Sequence, residues 1–116
     1  MAISESGNNQ PRGIGGAFAA LADPVRLQIL ERLLESDATV SELATDLNVG
    51  MPSMSKHLTV LQRAGFVARR AEAQRRHCSL DPEAFLALLS WASHFEAVWT
   101  GRLSRLDAIL QADGGE

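Results

Sequence analysis

The sequence has a single cysteine, Cys78, among its 116 residues. It can therefore form no disulfide within the chain, and one thiol cannot supply a thiolate-rich metal site. The longest apolar runs, residues 17–22 and 84–89, are far shorter than the roughly 20 residues that span a bilayer. The first dozen residues carry neither a basic start nor an apolar stretch, so we expect no secretory signal. These absences predict a cytoplasmic protein without a membrane span, a disulfide framework or a structural zinc site.

Glycine and proline are also too few, at nine and four residues, for a collagen-like or low-complexity chain. Hydrophobic residues make up 46% of the sequence and charged residues 22%, which is the composition of one ordinary globular domain. Small and polar residues without periodicity open and close the chain. They predict flexible tails at residues 1–13 and 111–116, with the domain at residues 14–110.

Charge is unevenly distributed along the chain, whose net charge is −3. Residues 50–80 hold six of the eleven basic residues and a single acid, Glu72, which gives this segment a net charge of +5. The rest of the chain carries −8. A contiguous basic segment on an otherwise acidic protein indicates a nucleic-acid-binding surface. The alternative interpretation is a solvated charged face.

Helix signals precede the basic segment. Residues 17–22 predict a short helix, and Asp23-Pro24 then supplies an N-cap acid and a first-turn proline for a second one. Thr39-Val40 predicts a very short strand, and Ser41 gives half of a capping box before a short third helix. The apolar face predicted for the second helix comprises Leu30, Leu33 and Leu34.

A fourth helix follows the turn at residues 48–50. Its apolar residues recur every three and four positions, which predicts a buried stripe of Met51, Met54, Leu58 and Leu61. Two helices joined by a three-residue turn form a helix-turn-helix. Gly65 suits a left-handed C-cap. The opposite face of the fourth helix is mostly polar or basic and comprises Pro52, Ser53, Lys56, Thr59, Val60 and Arg63.

Extended segments and a long helix complete the chain. Residues 66–70 and 75–80 flank residues 71–74, which predicts a hairpin with arginines beside its tip. Asp81-Pro82 then opens a last helix through Leu110, whose apolar stripe is longer than so small a core requires. A face of this kind is normally buried against a second subunit, so we predict a two-fold symmetric homodimer. The predicted interface comprises Phe18, Phe85, Leu89, Trp91, Phe95, Val98, Trp99, Leu103 and Leu106.

Two segments carry a resemblance to a known family, LADPVRLQIL at residues 21–30 and PSMSKHLTVLQRAGFV at residues 52–67. Together with the order of the predicted elements, they resemble the winged helix-turn-helix repressors of the ArsR/SmtB family over about residues 14–110. The last helix is similar to that of a subgroup without a recognised metal site. The resemblance implies a mainly α fold with a small β-hairpin, of the α+β class, that dimerises through its first and last helices.

The resemblance also implies that the fourth helix enters the DNA major groove. Its hydroxyls and lysine suit base edges and phosphates. Arg63 fits a phosphate contact or a solvated charge, and His57 fits core packing and a phosphate contact equally well. The expected contacts of this helix are Pro52, Ser53, Ser55, Lys56, His57, Thr59 and Arg63. Those of the wing are Arg69, Arg70, Arg75 and Arg76, directed at backbone phosphates or, alternatively, at the minor groove.

Some positions depart from the family pattern. Ala73 and Gln74 replace the glycine and the basic residue usual at the wing tip, which leaves the geometry of that turn open. Met51 replaces a glutamine common at the start of the recognition helix, which leaves one adenine contact open.

Sensor sites of the family are missing from the sequence. Residues 42–47 lack the cysteine pair by which many members bind metal, and His94 lacks matching ligands along the last helix, so we expect no metal and no cofactor. Cys78 is expected to be a small core residue. The alternative is a redox-active thiol whose thiolate is favoured by neighbouring cations. Trp91, Phe95 and Trp99 are expected to be packing residues, and a pocket for an apolar effector is the alternative.

No catalytic constellation can be assembled from the sequence, so we expect no enzyme. We predict a sequence-specific transcriptional regulator of double-stranded DNA, a homodimeric repressor that binds an inverted-repeat operator and is released by an unidentified signal. The alternative is a winged-helix protein-interaction module without specific DNA binding. The +5 segment favours DNA.

Overall fold

The computed structural model describes residues 13–114. Residues 1–12 and 115–116, which make up most of the two predicted tails, lie outside the described residues. The described chain folds into five helices and a three-stranded antiparallel sheet. No helix in it is both long and apolar enough to cross a membrane. In chain order the elements are α1 (Gly13–Leu21), α2 (Pro24–Glu35), β1 (Ala38–Thr39), α3 (Val40–Leu47), α4 (Met51–Ala64), β2 (Val67–Glu72), β3 (Arg75–Leu80) and α5 (Pro82–Gly114).

The start of α2 confirms the predicted cap. The Asp23 carboxylate accepts hydrogen bonds from the backbone N–H groups of Val25, at 2.8 Å, and Arg26, at 3.1 Å. The prediction that Leu34 shares the buried face is wrong, since this side chain is 74% exposed. The buried face centres on Leu33, and Leu34 lies about 100° away around the helix.

A full capping box starts α3, two residues before the predicted half box at Ser41. Thr39 Oγ1 accepts from the Glu42 N–H at 3.1 Å, and the Glu42 carboxylate accepts from the Thr39 N–H at 2.8 Å. Thr39 is held extended because β1 pairs with β3, with Thr39 opposite His77. The cap is therefore fixed by a long-range strand pairing that local sequence does not show.

The stripe that anchors α4 is confirmed at three of its four positions. Met54, Leu58 and Leu61 are completely buried, whereas Met51 is 50% exposed. Met51 is the first residue of α4, where no preceding helical turn covers it, and it lines the groove between α4 and the hairpin. Gly65 ends the helix with a φ of +90°, as predicted for a left-handed cap.

The sheet has the strand order β1-β3-β2. Strand β3 has its predicted bounds, whereas β2 continues two residues beyond the predicted end, so the turn has two residues rather than four. Phe66 lies before β2, because its N–H continues the end of α4 by donating to the Leu61 carbonyl at 2.9 Å. Phe66, Val67 and Cys78 are almost completely buried and carry the sheet onto the helical core.

The last helix, α5, packs on the core only near its start. Ala84 is buried and Leu88 is partly buried against the core. From Leu89 to Ala112, every residue except the half-buried Gly101 is exposed. At 1.5 Å per residue, its 33 residues extend about 50 Å. The helix continues through Gly114, beyond the predicted Leu110, since Gln111 and Ala112 both favour helix.

Candidate nucleic-acid interface

The predicted reading face of α4 is open to solvent. The buried stripe of α4 fixes the rotation of the helix, so the opposite face points away from the core. The exposed residues of that face are Pro52, Ser53, Ser55, Lys56, Val60 and Arg63, with Thr59 half-buried. Most of them line one shallow groove of about 540 Å³ that also contains Thr59. A mixed surface of hydroxyls and cations of this kind suits both base edges and phosphates.

The start of α4 adds a positive end to this face. Gly50 is the N-cap and has no side chain to bond the N–H groups of the first turn, and no acid lies in that turn. The unpaired N–H groups of a helix start attract anions. Ser53 and Lys56 follow within the first two turns, so the neutral hydroxyl and the cation lie beside this end.

His57 is drawn toward the core rather than fully displayed. Its Nδ1 lies 3.3 Å from Nη1 of Arg26, and its side chain is half-buried. Arg26 also donates from Nε to the Ala20 carbonyl at 2.6 Å and from Nη2 to the Ala19 carbonyl at 3.4 Å. Arg26 therefore connects the end of α1 to the middle of α4. Its contact with His57 supports the interpretation of His57 as a packing residue.

The wing carries its arginines in different surroundings. Arg75 and Arg76 are exposed, and Arg70 Nη2 lies 3.2 Å from a Glu72 carboxylate oxygen with most of its side chain exposed. Arg69 is half-buried and is hydrogen-bonded to α4. Three of the four predicted wing cations are thus available on the surface, and the fourth is engaged within the protein.

The turn at the wing tip accommodates Ala73 in the place where the family usually has glycine. Ala73 adopts a φ of +58°, a left-handed conformation that glycine enters more readily than alanine. The two-residue turn therefore keeps the geometry for which glycine is usual, at the cost of some backbone strain.

A groove of about 670 Å³ joins the recognition helix to the wing. It runs between the start of α3, the start of α4 and the hairpin. Sequence reasoning missed three of its polar residues, Thr39, Ser41 and Gln74, because they meet only through the β1–β3 pairing. Glu42, the acid on its wall, is held ionised: its hydrogen bond from the Thr39 backbone lowers its pKa, and the Arg32 and Arg75 charges lower it further. The acid is thus engaged in the α3 cap beside the wing cations.

A second surface lies on α1 and α5. All nine residues predicted for a dimer interface are exposed, between 37% and 64%. The rings of Phe18 and Trp91 lie 5.2 Å apart, and those of Trp91 and Phe95 4.7 Å apart, so α1 and α5 present one aromatic face. Phe85 is partly withdrawn because it packs against Phe66, at 4.8 Å. Leu110, the last residue of the predicted apolar stripe, is also exposed, and sequence reasoning missed two further exposed apolar residues on α5, Leu86 and Ile109.

Comparison with known proteins assigns this architecture. The sequence model of a helix-turn-helix domain matches residues 21–70. The HTH-type transcriptional regulator Rv2034 of Mycobacterium tuberculosis is 38% identical over 100 residues, which cover 86% of this chain and 91% of that protein. The crystal structure of the ArsR family transcriptional regulator RHA00566 is 36% identical, with a TM-score of 0.69, over 75% of this chain and 90% of that one. The chain belongs to the ArsR family.

Another ArsR-like structure matches the same winged helix. It is the homodimeric winged helix-turn-helix DNA-binding domain of Mb0332 from Mycobacterium bovis, a possible ArsR-family regulator. It is 29% identical to this chain, with a TM-score of 0.59, over 73% of this chain and 81% of that one. The present chain is accordingly a DNA-binding transcriptional regulator of the winged helix-turn-helix type.

The sequence left two interpretations of Cys78 in this ArsR-family regulator, a small core residue and, as the alternative, a redox-active thiol. The thiol is completely buried in β3, and burial raises its pKa. The Arg69 charge lowers that pKa but is the smaller influence. This burial agrees with the expectation that Cys78 is a small core residue, and the raised pKa works against the alternative of a thiolate favoured by cations. Among the described residues, no group of three or more His, Cys, Asp or Glu side chains could hold a metal ion.

Proposed function

We propose that this ArsR-family regulator is a homodimeric repressor that acts on an inverted-repeat operator in the cytoplasm. The observation that carries the proposal is the pairing of two exposed surfaces on one small domain. The basic α4 and hairpin supply a reading surface, and the aromatic α1–α5 face supplies a symmetric contact. The proposed functional unit spans residues 14–110.

Two-fold symmetry connects these two surfaces. A two-fold dimer formed through α1 and α5 presents two copies of the recognition helix, one from each protomer. Two such helices enter successive major grooves when they lie about 34 Å apart. The homodimeric Mb0332 domain supports this assembly, since its winged helix matches this one. A dimer bound across a promoter would occlude it, which is the basis for proposing repression.

Direct reading of bases is assigned to the first two turns of α4. Ser53, Ser55 and Lys56 lie there, exposed and close to the positive helix end. Arg63 lies two turns further and is assigned to a phosphate, as are the exposed wing residues Arg70, Arg75 and Arg76. Each phosphate neutralised makes the slope of log affinity against log salt concentration more negative by about 0.9.

The experiment selects binding sites for the purified protein from random duplex DNA at about 150 mM salt, where non-specific phosphate attraction is weakened. The proposal expects an inverted repeat. Lys56→Ala should then bind the selected site about tenfold or more weakly, which is the loss of one base or phosphate contact. Arg105→Ala makes the same change of charge on exposed α5 and should bind as the wild type does.

The alternative function, a protein-interaction module, predicts a different result of this selection. Recovery of no sequence above background would contradict the proposal and favour a protein-interaction module. Repression has its own readout, a reporter gene placed behind the selected site. Its expression should rise when the protein is removed, and a fall would show activation instead.

A further inference from the structure

Arg69 differs from the other wing arginines in what it contacts. From β2, its Nε donates to Gln62 Oε1 at 3.0 Å and its Nη2 donates to Thr59 Oγ1 at 3.1 Å. Both acceptors belong to the second half of α4. Arg70, its neighbour, has a side chain that is 63% exposed and is paired with Glu72 on the same strand. Arg69 alone among the four wing arginines therefore joins the wing to the recognition helix in the hydrogen bonds of the described chain.

The chemistry of the guanidinium makes this contact directional. Its N–H groups form a rigid planar fork, so two bonds to separate acceptors fix the orientation of the group as well as its distance. Thr59 and Gln62 are three residues apart and thus neighbours on one face of α4. Beside the buried contacts of the sheet, one side chain on β2 accordingly constrains both the separation and the angle between the hairpin and the helix.

The Thr59 hydroxyl makes two hydrogen bonds within the protein. It donates to the Ser55 carbonyl at 3.0 Å while its oxygen accepts from Arg69. A threonine has one hydroxyl proton, and this one is already used inside the protein. Thr59 therefore has no hydroxyl proton left to donate to a base edge.

We propose that Arg69 is a positioning residue that locks the wing to the recognition helix, and that Thr59 is its anchor rather than a base reader. The proposal rests on the proposed DNA-binding function and deepens it. It limits base reading on α4 to the first two turns, and it fixes the reach of the wing relative to those turns. It also replaces the sequence-based expectation that Arg69 and Thr59 contact DNA.

The decisive variant is Arg69→Lys, which keeps the charge but loses the fork that spans two acceptors. On the selected operator, we expect about a tenfold loss of affinity, the order that one charged hydrogen bond represents. Thr59→Val should lose a similar factor, and the double variant should lose no more than Arg69→Lys alone, since both changes break one unit. Arg105→Lys, in the exposed part of α5 and outside the α4 and wing surface, is the matched control and should match the wild type.

A phosphate contact would give the opposite pattern. Arg69→Lys would then bind almost normally, and Arg69→Gln would lower the salt slope by about one unit. Either result overturns the proposal, which expects Arg69→Gln to weaken binding with the slope unchanged.

Amide hydrogen exchange provides a test without DNA. In the protein alone, Arg69→Lys should speed exchange at the amides of β2 and β3 that the sheet protects, whereas Arg105→Lys should not. Unchanged exchange in Arg69→Lys would overturn the proposal. If the wild type selected no operator, the proposed function would fail, but this exchange measurement would still decide whether Arg69 holds the wing.

Discussion

Replacing Trp99 by serine should separate the proposed dimer into monomers without unfolding them. Trp99 lies in the exposed part of α5 and is itself 54% exposed, and the Arg102 guanidinium lies over its ring, 5.4 Å from the ring centroid. Half of a tryptophan surface of about 250 Å² is about 130 Å², and at about 25 cal/mol/Å² its burial stabilises by about 3 kcal/mol for each protomer. A two-fold dimer loses this twice. The upper limit is about 6 kcal/mol, and even half of it raises the dimer Kd more than about a hundredfold.

Sedimentation equilibrium over a range of protein concentrations measures that Kd. Ser90→Ala is the matched control, because Ser90 is exposed nine residues from Trp99, on the opposite side of α5, and should leave the Kd unchanged. Far-ultraviolet circular dichroism should show the same helix content in both variants, since Trp99 has no place in the core. A Trp99→Ser protein that dimerises as tightly as the wild type would refute the assignment of this face.

Further predictions concern the core, the cap and the thiol. Leu58→Ala should lower the free energy of unfolding by about 3 kcal/mol, because the side chain is completely buried, and urea denaturation at fixed protein concentration would show it; a loss below about 1 kcal/mol would contradict that burial. The backbone hydrogen bond from Arg26 holds the pKa of Asp23 below 3.8, so the carboxylate stabilises the fold above about pH 4 and this contribution is lost as the pH falls through its folded pKa. Between about pH 6 and pH 3, the melting temperature should therefore fall more steeply for the wild type than for Asp23→Asn. Parallel curves of melting temperature against pH would count against the cap. Cys78 should react with a thiol reagent far more slowly in the native protein than in urea, because it is buried and its pKa is raised; equal rates would show an accessible thiol.

Local signals in the sequence predicted most of the helical framework. Asp23 before Pro24 marks a helix start, and Gly65 marks an end. The four- and three-residue spacings of Met54, Leu58 and Leu61 mark a buried face. Each signal depends on residues within one or two turns, where sequence distance and spatial distance agree. For the same reason, the exposed side of α4 could be predicted from its buried side.

Contacts between distant segments could not be predicted in this way. The Thr39 cap depends on pairing with β3, almost forty residues later, and the bond from Arg69 to Thr59 crosses from strand to helix. An arginine-rich strand looks the same in sequence whether its guanidinium meets a phosphate or a threonine. Burial is similarly decided by neighbours, which is why the pKa of the Cys78 thiol is raised despite the cations around it in sequence.

A spacing series on the selected operator tests the dimeric reading of DNA most directly. The two half-sites would be moved apart in single base-pair steps, and the affinity of the wild type measured at each spacing. Two recognition helices fixed by one dimer require half-sites about one helical turn apart, so the account predicts a sharp loss at a shift of about five base pairs, which places the half-sites on opposite faces of the duplex. Equal affinity at every spacing, matched by a single half-site, would show that one protomer reads DNA alone and would contradict the account.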